Sequence, residues 1–318
     1  WIIASGSAFL ALCPITNIIF TDFLLQVLQG EKFNEQLDLQ STGSTVAGIK
    51  QSTFRKIPLH LPPLPEQQKI AAILSSVDEV IEKTQAQIDK LKDLKTGMMQ
   101  ELLTKGIGPG GVPHTEFKDT PVGRIPVGWE AIFESCKIKN TLRKPISKEE
   151  RESMKGVYPY YGPTKAVDYI DEYRVEGDHT LIGEDGDHFT KFATWSMTQF
   201  VTGKFNVNNH AHIIEGGDNC RTKWIYYYFI HRNITASLTR QGATRYKLNK
   251  ATLEKLELAT PPIDEQDRII TIFDAMMNDI SMKEKRVGKL ADTKKALMQD
   301  LLTGKVRTTH LLNKESPS

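Results

Sequence analysis

The 318-residue sequence predicts an α+β fold: a mixed α/β block joined to two long helices that pair as an antiparallel coiled coil. Three observations carry this reading. One long stretch of chain occurs twice. Each copy ends in a heptad-patterned run. The chain between the copies breaks into short β-like runs separated by Gly, Asp and Asn.

The copies read GSTVAGIKQSTFRKIPLHLPPLPEQQKIAAILSSVDEVIEKTQAQIDKLKDLKTGMMQELLT and GATRYKLNKATLEKLELATPPIDEQDRIITIFDAMMNDISMKEKRVGKLADTKKALMQDLLT. They align without a gap, Gly43 on Gly242, Pro62 on Pro261, Glu66 on Glu265 and Leu103 on Leu302. Identities such as Lys90/Lys289, Leu91/Leu290, Asp93/Asp292 and Gln100/Gln299 hold register too long for a chance likeness of two helices. In each copy an alternating segment (Phe54, Ile57, Leu59; Leu253, Leu256, Leu258) predicts a short strand. Pro-Pro ends it, because proline cannot donate to a ladder and biases the preceding residue away from helix. A long helix then begins near Glu66 or Glu265, where an acidic group suits the positive end of the helix dipole.

Both helices carry apolar residues three and four apart. In the first these are Ile70, Leu74, Val77, Ile81, Ile88, Leu91, Met98 and Leu102; in the second, Ile269, Phe273, Met276, Ile280, Val287, Leu290, Leu297 and Leu301. Lys95 and Lys294 interrupt the two seams at matching places. At ~1.5 Å per residue, about 38 residues make a rod of roughly 57 Å. Such a rod cannot bury its stripe alone, so the helices are expected to pair with each other; the alternative is an ordinary bundle core. Gly106 and Gly304 stand where a left-handed C-cap belongs. A Gly/Pro-rich linker follows the first helix, and a polar tail follows the second.

Composition sets few limits. Charged residues are 25%, hydrophobic residues 39% and the net charge is +2, an ordinary globular balance that neither demands nor excludes a nucleic-acid partner. Cys13, Cys136 and Cys220 include no C-x-x-C pair, which argues against a disulfide framework or a four-cysteine zinc site and fits a reducing cytoplasm. The start, WIIASGSAFLALCPITNIIF, lacks a basic leader and is interrupted by Ser5, Ser7, Pro14, Thr16 and Asn17. A membrane span needs ~20 mostly apolar residues, so none is expected. The sequence begins with Trp1 rather than Met.

In the middle block the β-like runs are Val157–Tyr161, His179–Gly183, Phe200–Val207 and His210–Ile214, and TKWIYYYFIHRN reads as a helix leading into the second copy. Tyr158, Tyr160 and Tyr161 read as packed core in preference to stacking groups.

LPPLPEQQKIAAILSSVDEVIEKT and its counterpart PPIDEQDRI resemble the repeats of type I restriction specificity subunits. FKDTPVGRIPVGWE, YPYYGPTKAVDYIDEY, LIGEDGD, GKFNVNNHAHII and QGATRYKLNKATLEKLELATPPIDEQ resemble one target recognition domain of that family, in the family's order, and the resemblance covers essentially the whole chain. It implies two recognition domains at opposite ends of a helical rod, each reading half of a split DNA site, with the rod docking two methyltransferase subunits and, through the assembled complex, restriction subunits. It implies no cofactor on this chain; S-adenosylmethionine belongs to the methyltransferase subunit. The division that follows is 1–62, the tail of a first recognition domain; 63–105, the first long helix; 106–125, the linker; 126–262, a complete recognition domain; 263–304, the second long helix; and 305–318, the tail. Only one recognition domain is complete, so either the first lies outside this sequence or the product is a half-subunit, which opens self-association. The expected compartment is the cytoplasm.

Candidate DNA contacts follow from chemistry and position. GEDGDHFT (183–190) lacks calcium-loop order, which leaves a turn presenting Lys191 or a plain solvated turn. Lys204, Asn206, Asn208, Asn209 and His210 form a polar cluster. Asn suits adenine and Lys suits guanine or phosphate, whereas His210 and His212 as a zinc pair lack a third ligand. Gln241, Thr244, Arg245, Tyr246 and Lys247 add an amide, an aromatic and two cations; the matching stretch of the other copy, Ser44–Gly48, has neither charge nor aromatic. No G-x-S-x-G, Walker loop, H-E-x-x-H or N/D-P-P-Y/F motif occurs, so catalysis is expected in partner subunits. The rival readings are a scaffold that holds methyltransferase subunits with partial DNA reading, and a nuclease using Glu184, Asp185 and Asp187.

Overall fold

The computed structural model describes residues 2–5, 8–12, 14–40, 49–133, 136–241 and 245–312. The fold is α+β. In chain order the helices are α1 (Thr21–Gln29), α2 (Glu31–Gln40), α3 (Gln51–Phe54), α4 (Leu64–Leu102), α5 (Lys148–Ser153), α6 (Thr222–Phe229), α7 (Lys250–Leu253), α8 (Ile263–Leu302) and α9 (Thr309–Leu312). The chain divides into two compact units, Trp1–Lys92 with Asn278–Ser318, and Asp93–Met277.

In the first unit α4 and α8 run antiparallel. Lys92 pairs with Glu284 at 2.8 Å and Asp78 with Lys294 at 2.7 Å, so α8 numbers rise as α4 numbers fall. Ile88 and Ile280 are buried in this stretch, while Val77, Ile81, Leu91, Val287, Leu290 and Leu297 are half-buried, as expected when two helices cover only one stripe of each other. Thr84 falls at a seam position the apolar pattern skips. It is buried, and its hydroxyl donates to the Val80 carbonyl of its own helix at 2.6 Å, so no polar group is stranded. Phe23, Leu24 and Val27 of α1 close this end against Ile70, Ala71 and Leu74 of α4 and Leu301 of α8.

The second unit holds two four-stranded sheets. One has the order Thr198–Val201, His179–Gly183, Ala211–Glu215, Lys137–Ile138, all antiparallel. The other has the order Ala166–Ile170, Lys155–Tyr161, Lys204–Val207, Val175–Glu176, with Lys204–Val207 parallel to Lys155–Tyr161. Alternation explains the first sheet's burial on both faces. Leu181 and Ile213 join Val175, Phe205 and Val207 in one cluster, while Ile182 and Ile214 join Trp224, Ile225 and Tyr228 in another. Met99 and Leu103 of the first long segment and Ile269 and Phe273 of α8 belong to that second cluster, along with Trp129.

The repeated Glu-Gln dipeptide has a structural reason. Gln67 donates to the carbonyls of Ile18 (3.0 Å) and Pro62 (2.8 Å) and accepts from the Phe20 N–H (2.8 Å). Gln266 donates to the carbonyls of Asn219 (2.9 Å) and Pro261 (2.8 Å) and accepts from the Arg221 N–H (2.8 Å). Each glutamine therefore staples the start of α1 or α6 to the start of its long helix. The adjacent glutamate grips the chain leaving the other long helix. Glu66 accepts from the Thr308 N–H and from two guanidinium nitrogens of Arg307. Glu265 accepts from the Ile107 N–H at 2.8 Å and the Trp129 indole at 3.1 Å, with His114 at 3.0 Å. Gly106 and Gly304 have φ of +68° and +73°, the left-handed caps expected, and a Cβ on Gly106 would collide with the Glu265 carboxylate.

Several expectations are corrected. The segments around Phe54 and Leu253 are short helices, α3 and α7, not strands; at α7 the Asn249 side chain accepts from the Thr252 N–H and caps a helical turn, and only Ala259–Thr260 is extended into a strand. The run 200–207 is two strands, separated at Gly203 with φ +77°.

Because Gln266 satisfies three backbone groups in a buried site, Gln266→Leu should cost about 3 kcal/mol, several lost hydrogen bonds at roughly 1 kcal/mol each. Urea unfolding of the full chain measures it; a midpoint equal to wild type would refute the staple.

Candidate nucleic-acid interface

Three segments separated in sequence meet on the second unit. They are the turn 184–191, the turn 208–210 and the hairpin of Thr239–Gln241 with Arg245–Lys247, in which Gln241 lies opposite Arg245. The backbone joins them: Glu184 N–H donates to the His210 carbonyl and Leu248 N–H to the Glu184 carbonyl, each at 2.8 Å, and Asp185 forms a bridge with Lys247.

The Glu184 carboxylate stands at the centre, 14% exposed. Arg143 Nη1 donates to it at 2.6 Å, Lys247 Nζ lies at 3.3 Å and His212 Nε2 at 3.9 Å. Arg143 also donates to the Asn209 carbonyl at 3.1 Å. Burial pushes the Glu184 carboxyl up, but the Arg143 hydrogen bond, the His212 ring and the Lys247 ammonium together leave it below the ordinary carboxylate value. His212 is driven down by burial. The Asn140 amide, whose oxygen is fixed by the Ile213 N–H, donates to Nδ1, and Nε2–H donates to the Leu248 carbonyl at 2.6 Å.

The glycines of GEDGDH make room for a second histidine. A Cβ on Gly183 would collide with the His188 ring, and Gly186, at φ +136°, approaches it from the other side. His188 is 1% exposed and stacks on Phe189 at 4.2 Å. Burial pulls its pKa from the ordinary 6.5 to about 4, against the opposing charges of Asp185 and Asp187.

The predicted contact residues divide. Lys191 is exposed over the Trp195 ring, with Asp187 at 3.4 Å. Asn209 and His210 are exposed, His210 is held by Asp185 at 3.0 Å, and Asn208 accepts from the His210 N–H at 2.8 Å. Tyr246 is half-buried and its hydroxyl accepts from Arg240 at 3.0 Å. Lys247 belongs to the cluster, but its charge is engaged by Glu184. Lys204 is exposed over Tyr173 at the far end of its strand from Asn208, roughly 13 Å away at 3.3 Å per residue. Asn206 is a correction. It is fully buried, and its amide donates to the Glu172 carbonyl at 2.5 Å, so it packs the strand and presents no edge to a ligand. Thr244 and Ser44–Gly48 lie outside the described residues. Arg143 and Arg240 were not singled out by the sequence; Arg143 lies 41 residues from its partner, a separation no local pattern reveals. Among the described residues no group of three His, Cys, Asp or Glu is placed to hold a metal ion, and no helix is long and apolar enough to cross a membrane.

A polar, charge-laced cluster of turns thus adjoins the strands His179–Gly183 and Ala211–Glu215. The chain belongs to the type I restriction modification DNA specificity domain family, which matches residues 5–93 and 126–290. A putative type I restriction enzyme specificity subunit of Haemophilus influenzae is 35% identical over 150 residues, 47% of this chain and 37% of that protein. The putative MjaX specificity subunit of Methanocaldococcus jannaschii is 28% identical over 310 residues, 95% of this chain and 72% of that protein. The chain thus spans little more than a third of the first relative and under three quarters of the second. The crystal structure of a type I restriction-modification S subunit from M. genitalium superposes with a TM-score of 0.61 at 15% identity, covering 92% of this chain and 75% of that one, a likeness of fold.

A histidine held near 4 when folded and near 6.5 when unfolded leaves the unfolded chain binding more protons between those values. Stability is therefore full above pH 6.5 and is lost as the pH falls toward 4. Between pH 7 and pH 5 His188 should account for about 2 kcal/mol of lost stability. Urea midpoints at the two pH values, for wild type and His188→Gln, measure this; an equal drop in both proteins would assign the loss elsewhere.

Proposed function

We propose that this chain is the DNA-reading subunit of a type I restriction-modification complex, and that its second unit reads one part of a split DNA site. The observation that carries the proposal is the convergence of the turns 184–191 and 208–210 with the paired strands Thr239–Gln241 and Arg245–Lys247, which brings exposed amide, imidazole and guanidinium groups onto one loop cluster. Those groups suit both halves of duplex recognition: Asn208 and Asn209 offer base-edge hydrogen bonding, whereas Lys191 and Arg240 offer charge to phosphates. In this reading α4 and α8 hold methyltransferase subunits, restriction subunits join through the assembled complex, and S-adenosylmethionine is bound by the methyltransferase partner. The complex works in the cytoplasm.

Lys191 and Arg240 are exposed, and neither is buried in an ion pair. Replacing both with Ala should weaken binding across sequences alike and lower the slope of log K against log salt by up to about 2, near one unit per lost phosphate contact. Salt titration on a selected duplex and on single-base-changed versions is the measurement. A wild-type slope would exclude this cluster from the interface.

A further inference from the structure

We infer that Glu184 is a positioning residue for sequence discrimination: it fixes the three reading segments to one another and, in doing so, withholds two cations from the DNA backbone. The inference rests on the proposal that this cluster reads duplex DNA, and it concerns a residue that need not touch DNA.

The geometry has two parts. Through its main chain Glu184 is bonded to the 208–210 turn on one side and to the end of the hairpin on the other, each at 2.8 Å. Through its carboxylate it holds Arg143 at 2.6 Å and Lys247 at 3.3 Å. Arg143 then reaches the Asn209 carbonyl at 3.1 Å. One side chain thus ties the segment bearing Arg143, the Asn-Asn-His turn and the hairpin strand. It is 14% exposed, while Arg143 and Lys247 are 22% and 31% exposed, so these bonds are shielded from the solvent screening that weakens open surface pairs.

This arrangement separates specificity from affinity. A base edge is read by hydrogen bonds whose donors and acceptors must be held in place, and Asn208, Asn209 and His210 stand on a turn tied to the clamp by the Glu184 N–H bond to the His210 carbonyl and the Arg143 bond to the Asn209 carbonyl. A phosphate, by contrast, is satisfied by any mobile cation nearby. Engaging Arg143 and Lys247 with one internal carboxylate lowers their indiscriminate attraction to phosphates while the same bonds hold the reading groups still. Losing the carboxylate should therefore move the two properties in opposite directions.

The test uses the full chain. A duplex is first selected from a randomised library with wild-type protein, and binding is then measured across salt on that duplex and on its single-base variants. Glu184→Gln keeps the size and one hydrogen-bond acceptor but removes the charge. The expected result is a salt slope steeper by about 1 to 2, from the two released cations, together with discrimination reduced about fivefold or more, the low end of one base-edge contact. A merely structural role would instead weaken binding to every duplex without steepening the slope. Wild-type slope and discrimination in Glu184→Gln, or uniform weakening, overturns the inference. Should that variant melt far below wild type, Arg143→Gln decides, because it cuts the bonds to Glu184 and to Asn209 from the outside. Discrimination kept at the wild-type level there overturns the inference, and its loss supports it. Failure of the wild-type chain to select any sequence would defeat the DNA-reading proposal itself, a result distinguishable from either variant outcome.

Discussion

The structure depends on how the ends of two long helices are satisfied. A helix N-terminus presents N–H groups and a positive dipole end, which favour a carboxylate. Burying that carboxylate is costly unless donors surround it. Glu66 and Glu265 meet this demand in the same way, each catching the N–H of a residue just past the other helix, Thr308 or Ile107. The remaining donors differ. Arg307 forks onto Glu66, and its hydrogen bond is the main cause holding that carboxyl below its ordinary value, whereas Glu265 is met by the indole of Trp129. Trp129 is fully buried and packs edge-on to Trp224 at 5.8 Å, so the grip on the linker is continuous with the core of the second unit.

From that core the strands lead outward to the clustered turns. The antiparallel sheet is buried on both faces, so its strands offer little surface to a ligand, and the exposed polar groups lie in the turns at their ends. The His188 ring fills the turn that follows His179–Gly183, and Glu184 emerges from the same turn toward Arg143 and Lys247. Packing beneath the loops and electrostatics within them are thus set by consecutive residues of one motif.

Much of this was legible because it repeats or is periodic. The heptads named the helices, but the stripe is covered by the partner helix only in its middle, around Ile88 and Ile280; nearer the ends α1 covers Ile70 and Leu74, and the core around Trp129 takes in Ile269 and Phe273. The Glu-Gln pair was visible as a repeated motif, but its meaning was not, since apart from the nearby Pro62 and Pro261 carbonyls the partners lie 45 to 49 residues upstream of the glutamines or 136 to 242 residues from the glutamates. The segments around Phe54 and Leu253 misled because apolar spacings of three and two fit one helical turn followed by extended chain as well as they fit a strand. Asn206 misled for a related reason: polar chemistry in a strand suggests a surface, yet here a backbone carbonyl answers it inside. Arg143 gave no signal, because an ion pair closed over a long loop leaves no spacing to read.

The joints at Gln67 and Gln266 have one more property. Their six hydrogen bonds all go to backbone atoms: the carbonyls of Ile18, Pro62, Asn219 and Pro261 and the N–H groups of Phe20 and Arg221. A socket that grips only main chain is indifferent to the side chains plugged into it. What enters α1 or α6 is free to differ in composition, and it does: TDFLLQVLQ at one joint and TKWIYYYF at the other. The coupling is mechanical rather than chemical, so the sequence between the joints can drift widely while the frame that holds it stays the same.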